Sequence, residues 1–87
     1  MLPLPHTINS FVVSMSKKTN KDILVKFGKN IREIRMKKGL SQEQLSFKAE
    51  LHRTYIGMVE RAEKNITLIN IEKISTALEV EISELLK

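Results

Sequence analysis

The chain has 87 residues and contains neither cysteine nor tryptophan. Without cysteine it forms no disulfide and holds no zinc through thiolates, which fits a reducing compartment such as the cytoplasm. Aromatic residues are scarce, one Tyr and three Phe, so a core must be built mainly from Leu, Ile and Val. Both prolines, Pro3 and Pro5, fall at the extreme N-terminus. No apolar run approaches the roughly 20 residues that cross a bilayer. The N-terminus also lacks a basic segment ahead of an apolar one, so neither a membrane span nor a signal peptide is expected. Reactive groups are sparse as well. His6 and His52 lie in unrelated segments, the single Asp22 sits at a helix start, and Glu33, Glu43 and Glu84 read as helix-surface charges. No Gly-rich phosphate loop and no metal-ligand spacing appears. The expectation is therefore no catalytic residue, no metal and no cofactor.

What the chain does have is unevenly distributed positive charge. The net charge is +5: residues 1–21 carry +3, residues 22–64 carry +4, and residues 65–87 carry −2. Basic side chains thus gather ahead of residue 65, around the proposed helix pair, as a polyanion-binding face requires, although ordinary solvated lysines would give a similar total.

Residues 1–21 contain both prolines and no sustained helical period, and read as a flexible N-terminal arm. Within it, Met15-Ser16-Lys17-Lys18 looks like a translation start, which marks residues 1–14 as a candidate extension. From residue 22 to 87 the pattern is helical throughout. Ile23, Phe27, Ile31 and Ile34 make one helix stripe. Asn20 is placed to cap this helix, Lys37-Lys38 suit its negative end, and Gly39 can stop it. Ser41-Gln42-Glu43-Gln44 is a capping box that opens a second helix burying Leu45 and Ala49. Glu50-Leu51 is the turn, and a third helix follows from about His52 to Arg61 with Ile56 and Val59 inward. Thr67 caps a fourth, striped by Leu68, Ile71, Ile74 and Leu78. Glu81 or Ser83 opens a short fifth carrying Ile82, Leu85 and Leu86. Five helices with short loops and no strand pattern indicate a compact all-α domain.

The residues Phe27-Gly28, Ile31-Arg32, Arg35, Gly39-Leu40-Ser41-Gln42-Glu43-Gln44-Leu45, Ala49, Leu51, Ile56, Val59-Glu60-Arg61, Leu68, Ile71, Ile74, Ala77-Leu78, Val80 and Leu85 resemble the Xre/Cro–C1-type helix-turn-helix family of phage and bacterial regulators. The resemblance spans residues 22–86 and implies a five-helix, lambda-repressor-like DNA-binding domain. Within that family, Phe47-Lys48 followed by Arg53-Thr54-Tyr55-Ile56 is similar to the short controller proteins of restriction–modification systems. A phage-type repressor or the antitoxin of a toxin–antitoxin pair is the alternative. Several positions depart from the family pattern: Glu50, Ala62 and Glu79 stand where Gly is usual, Ser46 where Ala is usual, and His52 where Ser or Thr usually caps helix three. A non-Gly residue in a left-handed turn is strained by about 1 kcal/mol or more.

A helix of this kind fits the major groove, where side chains reach base edges. With Ile56 and Val59 inward, residues near 53, 54, 57, 58 and 61 point away. Arg53 is the leading base reader, because a guanidinium matches guanine O6 and N7 with two hydrogen bonds; the bland alternative is a solvated arginine. Thr54 and Tyr55 can bond base edges or phosphates, Met58 suits a thymine methyl, and Gly57 lets the helix approach closely. Gln42, Lys48, His52, Arg61, Lys64 and Asn65 are the candidate phosphate contacts, which position the protein without reading sequence. The resemblance implies an ion pair between Arg35 and Glu60 that fixes the docking angle of helix three. One such domain reads few base pairs, so a homodimer on half-sites about one helical turn apart is expected. Ile66, Ile69, Ile82 and Leu86 are candidates for the dimer interface, with core packing as the alternative. The function read from the chain is thus sequence-specific transcriptional regulation on a palindromic double-stranded operator. Contact with RNA polymerase is expected if the protein activates.

Overall fold

The computed structural model describes residues 21–87 and is helical, with no strand among the described residues. The expected N-terminal arm, the candidate extension over residues 1–14 and the Asn20 cap lie outside the described residues. Helix α1 runs through residues 21–37, followed by α2 (Gln42–Ala49), α3 (Arg53–Glu60), α4 (Leu68–Leu78) and α5 (Ile82–Leu85). The order and spacing expected from the apolar periodicity hold within one or two residues at each end.

Side chains from all five helices meet in one core: Phe27 and Ile31 from α1, Leu45 and Ala49 from α2, Ile56 and Val59 from α3, Ile74 and Leu78 from α4, and Leu85 from α5. Two expected stripe members lie outside it. Ile23 is about half exposed and Leu68 is 81% exposed. Both occupy the first described turn of their helices, where among the described residues no neighbouring helix covers them fully, so helical phase alone does not bury them. Asn30 completes the closure at the chain end by donating from Nδ2 to the Leu85 carbonyl at 2.9 Å.

Helix starts follow local chemistry. Ser41 Oγ accepts from the Gln44 amide at 3.0 Å while Gln44 Oε1 accepts from the Ser41 amide at 2.8 Å, the reciprocal capping box. Thr67 Oγ1 accepts from the Asn70 amide at 3.1 Å, capping α4. Glu81 precedes α5 and makes no side-chain cap bond. Ser46, the residue standing in place of Ala, is buried and donates its hydroxyl to the Glu43 carbonyl at 2.7 Å, so the extra oxygen costs no unpaired polar group.

Helix ends share one device. Gly39, Glu50, Ala62 and Glu79 are all left-handed, with φ of 72°, 57°, 61° and 59°. In each case the next residue donates its amide to a carbonyl five positions back: Leu40 to Arg35, Leu51 to Ser46, Glu63 to Met58 and Val80 to Ser75, at 2.8–3.0 Å. This 6→1 bond satisfies a carbonyl the helix leaves unpaired. Leu40, Leu51 and Val80 then pack against the core. Glu50 and Glu79 keep the geometry that glycine would adopt freely, because abandoning it would lift Leu51 and Val80 out of the core; at Ala62 the following residue is the exposed Glu63, and the geometry serves the 6→1 bond alone.

Helix α3 is fixed from beneath. A Cβ on Gly28 of α1 would lie 2.5 Å from the Val59 carbonyl oxygen and 2.7 Å from that of Glu60, so only glycine lets α1 touch the end of α3. Beside this contact the Glu60 side chain, 3% exposed, takes Arg35 Nε at 2.6 Å and Arg35 Nη2 at 3.1 Å. Gln42 Nε2 adds a third bond to Glu60 Oε1 at 3.0 Å, and Arg35 Nη1 donates to the Leu40 carbonyl at 2.8 Å. One carboxylate thus joins α1, α2 and α3. A buried bidentate pair of this kind is costly to break from one side, since the other charge is left uncompensated.

Two outcomes follow. Glu60→Ala is expected to lose about 3–5 kcal/mol of unfolding free energy in urea or guanidinium titration, well beyond an exposed charge removal. Glu79→Gly relieves a left-handed glutamate and is expected to gain up to about 1 kcal/mol, read as a rise in thermal midpoint.

Candidate nucleic-acid interface

Helices α2 and α3, joined by Glu50, Leu51 and His52, present one outward face. His52 caps α3: its Nδ1 accepts from the Thr54 amide at 3.1 Å. A ring that accepts at Nδ1 carries its proton on Nε2, so His52 meets any ligand at this helix end as a single N–H donor. Arg53 and Thr54 follow, both exposed. The Arg53 side chain is 66% exposed, and its Nη1 lies 3.8 Å from Glu43 Oε1 on α2. A contact this long between solvated groups restrains the arginine little and leaves its fork available.

Gly57 is buried, contrary to its expected place on the outer face. The reason is the side chain above it. A Cβ at residue 57 would lie 3.1 Å from Arg61 Nη1 and 3.5 Å from Gln42 Oε1. Arg61 therefore folds back across α3 towards the first residue of α2, while its Nε meets Glu63 Oε2 at 3.1 Å. The absent side chain at position 57 makes room for a guanidinium rather than for closer helix docking. Gln42, half-buried, spends Nε2 on Glu60. Arg53, Thr54 and Arg61 make the exposed polar face of α3, with Gln42 at its edge.

Other expected contacts are arranged differently. Tyr55 is half-buried and packs against the core, and its hydroxyl accepts from Asn70 Nδ2 on α4 at 3.1 Å, so it is not a free outer-face side chain. Met58 is half-buried rather than fully outward. Lys48 is exposed, but it borders a shallow groove with Glu50, Glu72, Lys73 and Thr76, apart from the α3 face. Lys64 and Asn65 are exposed on the loop after α3. Among the described residues no cluster of three or more His, Asp or Glu could hold a metal ion, and no helix is long and apolar enough to cross a membrane.

The residues expected at a dimer interface divide. Ile66 is half-buried and packs against the core. Ile69 is 68% exposed, and Ile82 and Leu86 are each about two fifths exposed. Leu68, expected inward, is more exposed than any of them and adjoins Ile69 at the start of α4. Phe47 on α2 is 86% exposed. The exposure of Leu68 was not legible in its spacing, since its period matches the buried stripe.

This arrangement is shared with known proteins. The family pattern described as Helix-turn-helix matches residues 31–85. The control protein C.BamHI of Bacillus amyloliquefaciens is 50% identical over 66 residues, covering 75% of this chain and 82% of that protein. The restriction-modification controller protein C.AhdI of Aeromonas hydrophila superposes with a TM-score of 0.70 at 55% identity, covering 71% of this chain and 94% of that one. The controller protein C.Esp1396I, solved as a tetramer in complex with its natural 35 base-pair operator, superposes with a TM-score of 0.66 at 40% identity over 75% of this chain and 96% of that one. The match over most of the described residues shows that the chain belongs to the Xre/Cro–C1-type helix-turn-helix family of DNA-binding transcription regulators, among relatives that are restriction–modification controllers.

Proposed function

We propose that the protein is a cytoplasmic controller of a restriction–modification system, not an enzyme, which binds a palindromic operator as a homodimer and sets transcription of the adjoining genes. The observation that carries this reading is the outward face of α3: Arg53 and Thr54 stand exposed at its start, on a helix held from beneath by the Glu60 carboxylate. In the major groove Arg53 places its fork on guanine O6 and N7, and Thr54 bonds an adjacent base edge or phosphate. Met58 offers an apolar edge beside them. His52 Nε2, Arg61, Lys64 and Asn65 donate to phosphates, with the exposed N–H groups at the start of α2 adding a further anion contact near Gln42. Lys48 contributes as a more distant positive charge. The relative solved on its own operator supports the same mode here.

Leu68 and Ile69 form the centre of the self-association face in this reading, with Ile82 and Leu86 beside them; Ile66 supports it from the core side. Two α3 helices then enter successive major grooves about one helical turn apart. Where the protein activates, a bound dimer also presents a surface to RNA polymerase.

The test begins with duplexes selected from random-sequence DNA by the wild-type protein. Arg53→Ala is expected to lose about 1–3 kcal/mol of preference for the selected duplex over random competitor while retaining weak binding. Arg61→Ala is expected to weaken both duplexes alike and reduce the slope of log affinity against log salt by about 1. Failure of wild-type protein to enrich any sequence would end the regulator reading. Ile69→Glu is expected to shift sedimentation from dimer to monomer without unfolding the domain; a variant that still sediments as the dimer would remove the α4 face from the interface.

A further inference from the structure

We infer that Asn70 is a positioning residue for DNA binding: it fills the acceptor side of the Tyr55 phenol and leaves the hydroxyl proton for an acceptor on DNA. This rests on the α3 reading given above and adds a residue from α4 to it. Tyr55 sits in the first turn of α3, with its ring packed against the core. Among the described residues Asn70 is the phenol's one hydrogen-bond partner, donating from Nδ2 at 3.1 Å. Asn70 is itself held in place. It is half-buried, and its amide is tied to the Thr67 cap at 3.1 Å, so the first turn of α4 sets where Nδ2 points.

The polarity of this bond is its consequence. A phenol has one O–H to donate and lone pairs to accept with, and an amide NH2 can only donate. With Nδ2 turned to the phenol, Asn70 presents no acceptor to the Tyr55 proton. Phosphate oxygens are acceptors only, and the guanine N7 and O6, adenine N7 and thymine O4 of the major groove are acceptors too. A phenol already supplied with a donor from inside the protein is matched to them. Core packing holds the ring at one place and the bond selects one polarity, so little freedom is lost on binding. A free tyrosine on the outer face would have to give up both its rotamer and its choice of partner.

The experiment uses full-length protein and a duplex that the wild type has selected from random-sequence DNA. Asn70→Ala is made alone and in a Tyr55→Phe background, with thermal midpoints measured for every variant. Asn70→Ala is expected to weaken duplex binding about three- to tenfold, as is Tyr55→Phe, with midpoints that stay close to wild type. The double variant is expected to lose no more than Tyr55→Phe alone, because the asparagine acts through the hydroxyl. Tyr55 is the single tyrosine of a chain without tryptophan, so tyrosine emission reports on this side chain alone. Duplex binding is expected to quench that emission in wild type and less so in Asn70→Ala. Unchanged affinity for Asn70→Ala, equal losses with and without the phenol oxygen, or emission indifferent to the duplex would each overturn the inference while selective binding by the wild type stands. Absence of any selected duplex would overturn the α3 reading, and this inference with it.

Discussion

The carboxylate of Glu60 is the point on which α3 is hung. It is almost wholly withdrawn from water and takes three hydrogen bonds, two from Arg35 on α1 and one from Gln42 on α2. An ion buried this deeply is stable only when its partners are arranged in advance, because desolvation penalises each unpaired oxygen. That requirement makes the cluster a geometric device. Glu60 is the last residue of α3, so whatever fixes its carboxylate fixes the end of the helix that faces outward. Gly28 enforces the same junction by steric means, since a Cβ there would strike the Val59 and Glu60 carbonyls. Charge pairing sets the angle of α3 and backbone contact sets its depth.

The same economy of position explains which polar side chains support α3 and which stay exposed on its outer face. Gln42 lies at the edge of the outward face yet gives its amide nitrogen to Glu60, so the first residue of α2 is bound to the scaffold that orients α3. Arg61 reaches back across the gap at Gly57 towards Gln42, which brings a guanidinium close to the start of α2. Tyr55 is anchored through its ring to the core and through its oxygen to α4. Arg53 and Thr54 remain the least constrained, and they stand at the end of α3 that would enter a groove first. A rigid base with exposed donors at its tip suits recognition, because a preorganised scaffold loses little entropy on binding.

Helix endings carry a cost that the fold as a whole sustains. Glu50, Ala62 and Glu79 adopt left-handed backbone without the freedom of glycine. Each sits where a 6→1 amide bond closes the helix, and at Glu50 and Glu79 the following residue, Leu51 or Val80, is delivered to the core. A strain of about 1–2 kcal/mol per residue is smaller than the loss from withdrawing a buried aliphatic side chain, so the geometry persists although the side chain is unfavourable. Natural regulators of this size need only modest stability, and the three strained turns leave an evident margin for improvement.

Much of the architecture was legible because it is local. The Ser41–Gln44 box, the Thr67 cap, the inward pairing of Ile56 with Val59 and the stop at Gly39 each depend on residues within one turn of each other, and those relations are written in spacing. Family resemblance added the ionic link between Arg35 and Glu60, which lie 25 positions apart and carry no periodic signal. Beyond that reach the chain was silent or misleading. Leu68 and Ile23 obey the helical period of buried residues yet lie exposed, because burial depends on whether another helix arrives to cover that turn. Gly57 reads as an open patch on the outer face until Arg61 is seen lying over it. Tyr55 reads as an outer-face side chain until Asn70, on a different helix, is seen to donate to its oxygen. The sequence by itself determined the helices, the caps at Ser41 and Thr67 and the exposure of Arg53, since these follow from covalent neighbours and side-chain chemistry. Only the tertiary structure decided which polar groups are already engaged and which apolar ones are left uncovered, since both depend on distances between segments that no one-dimensional pattern encodes.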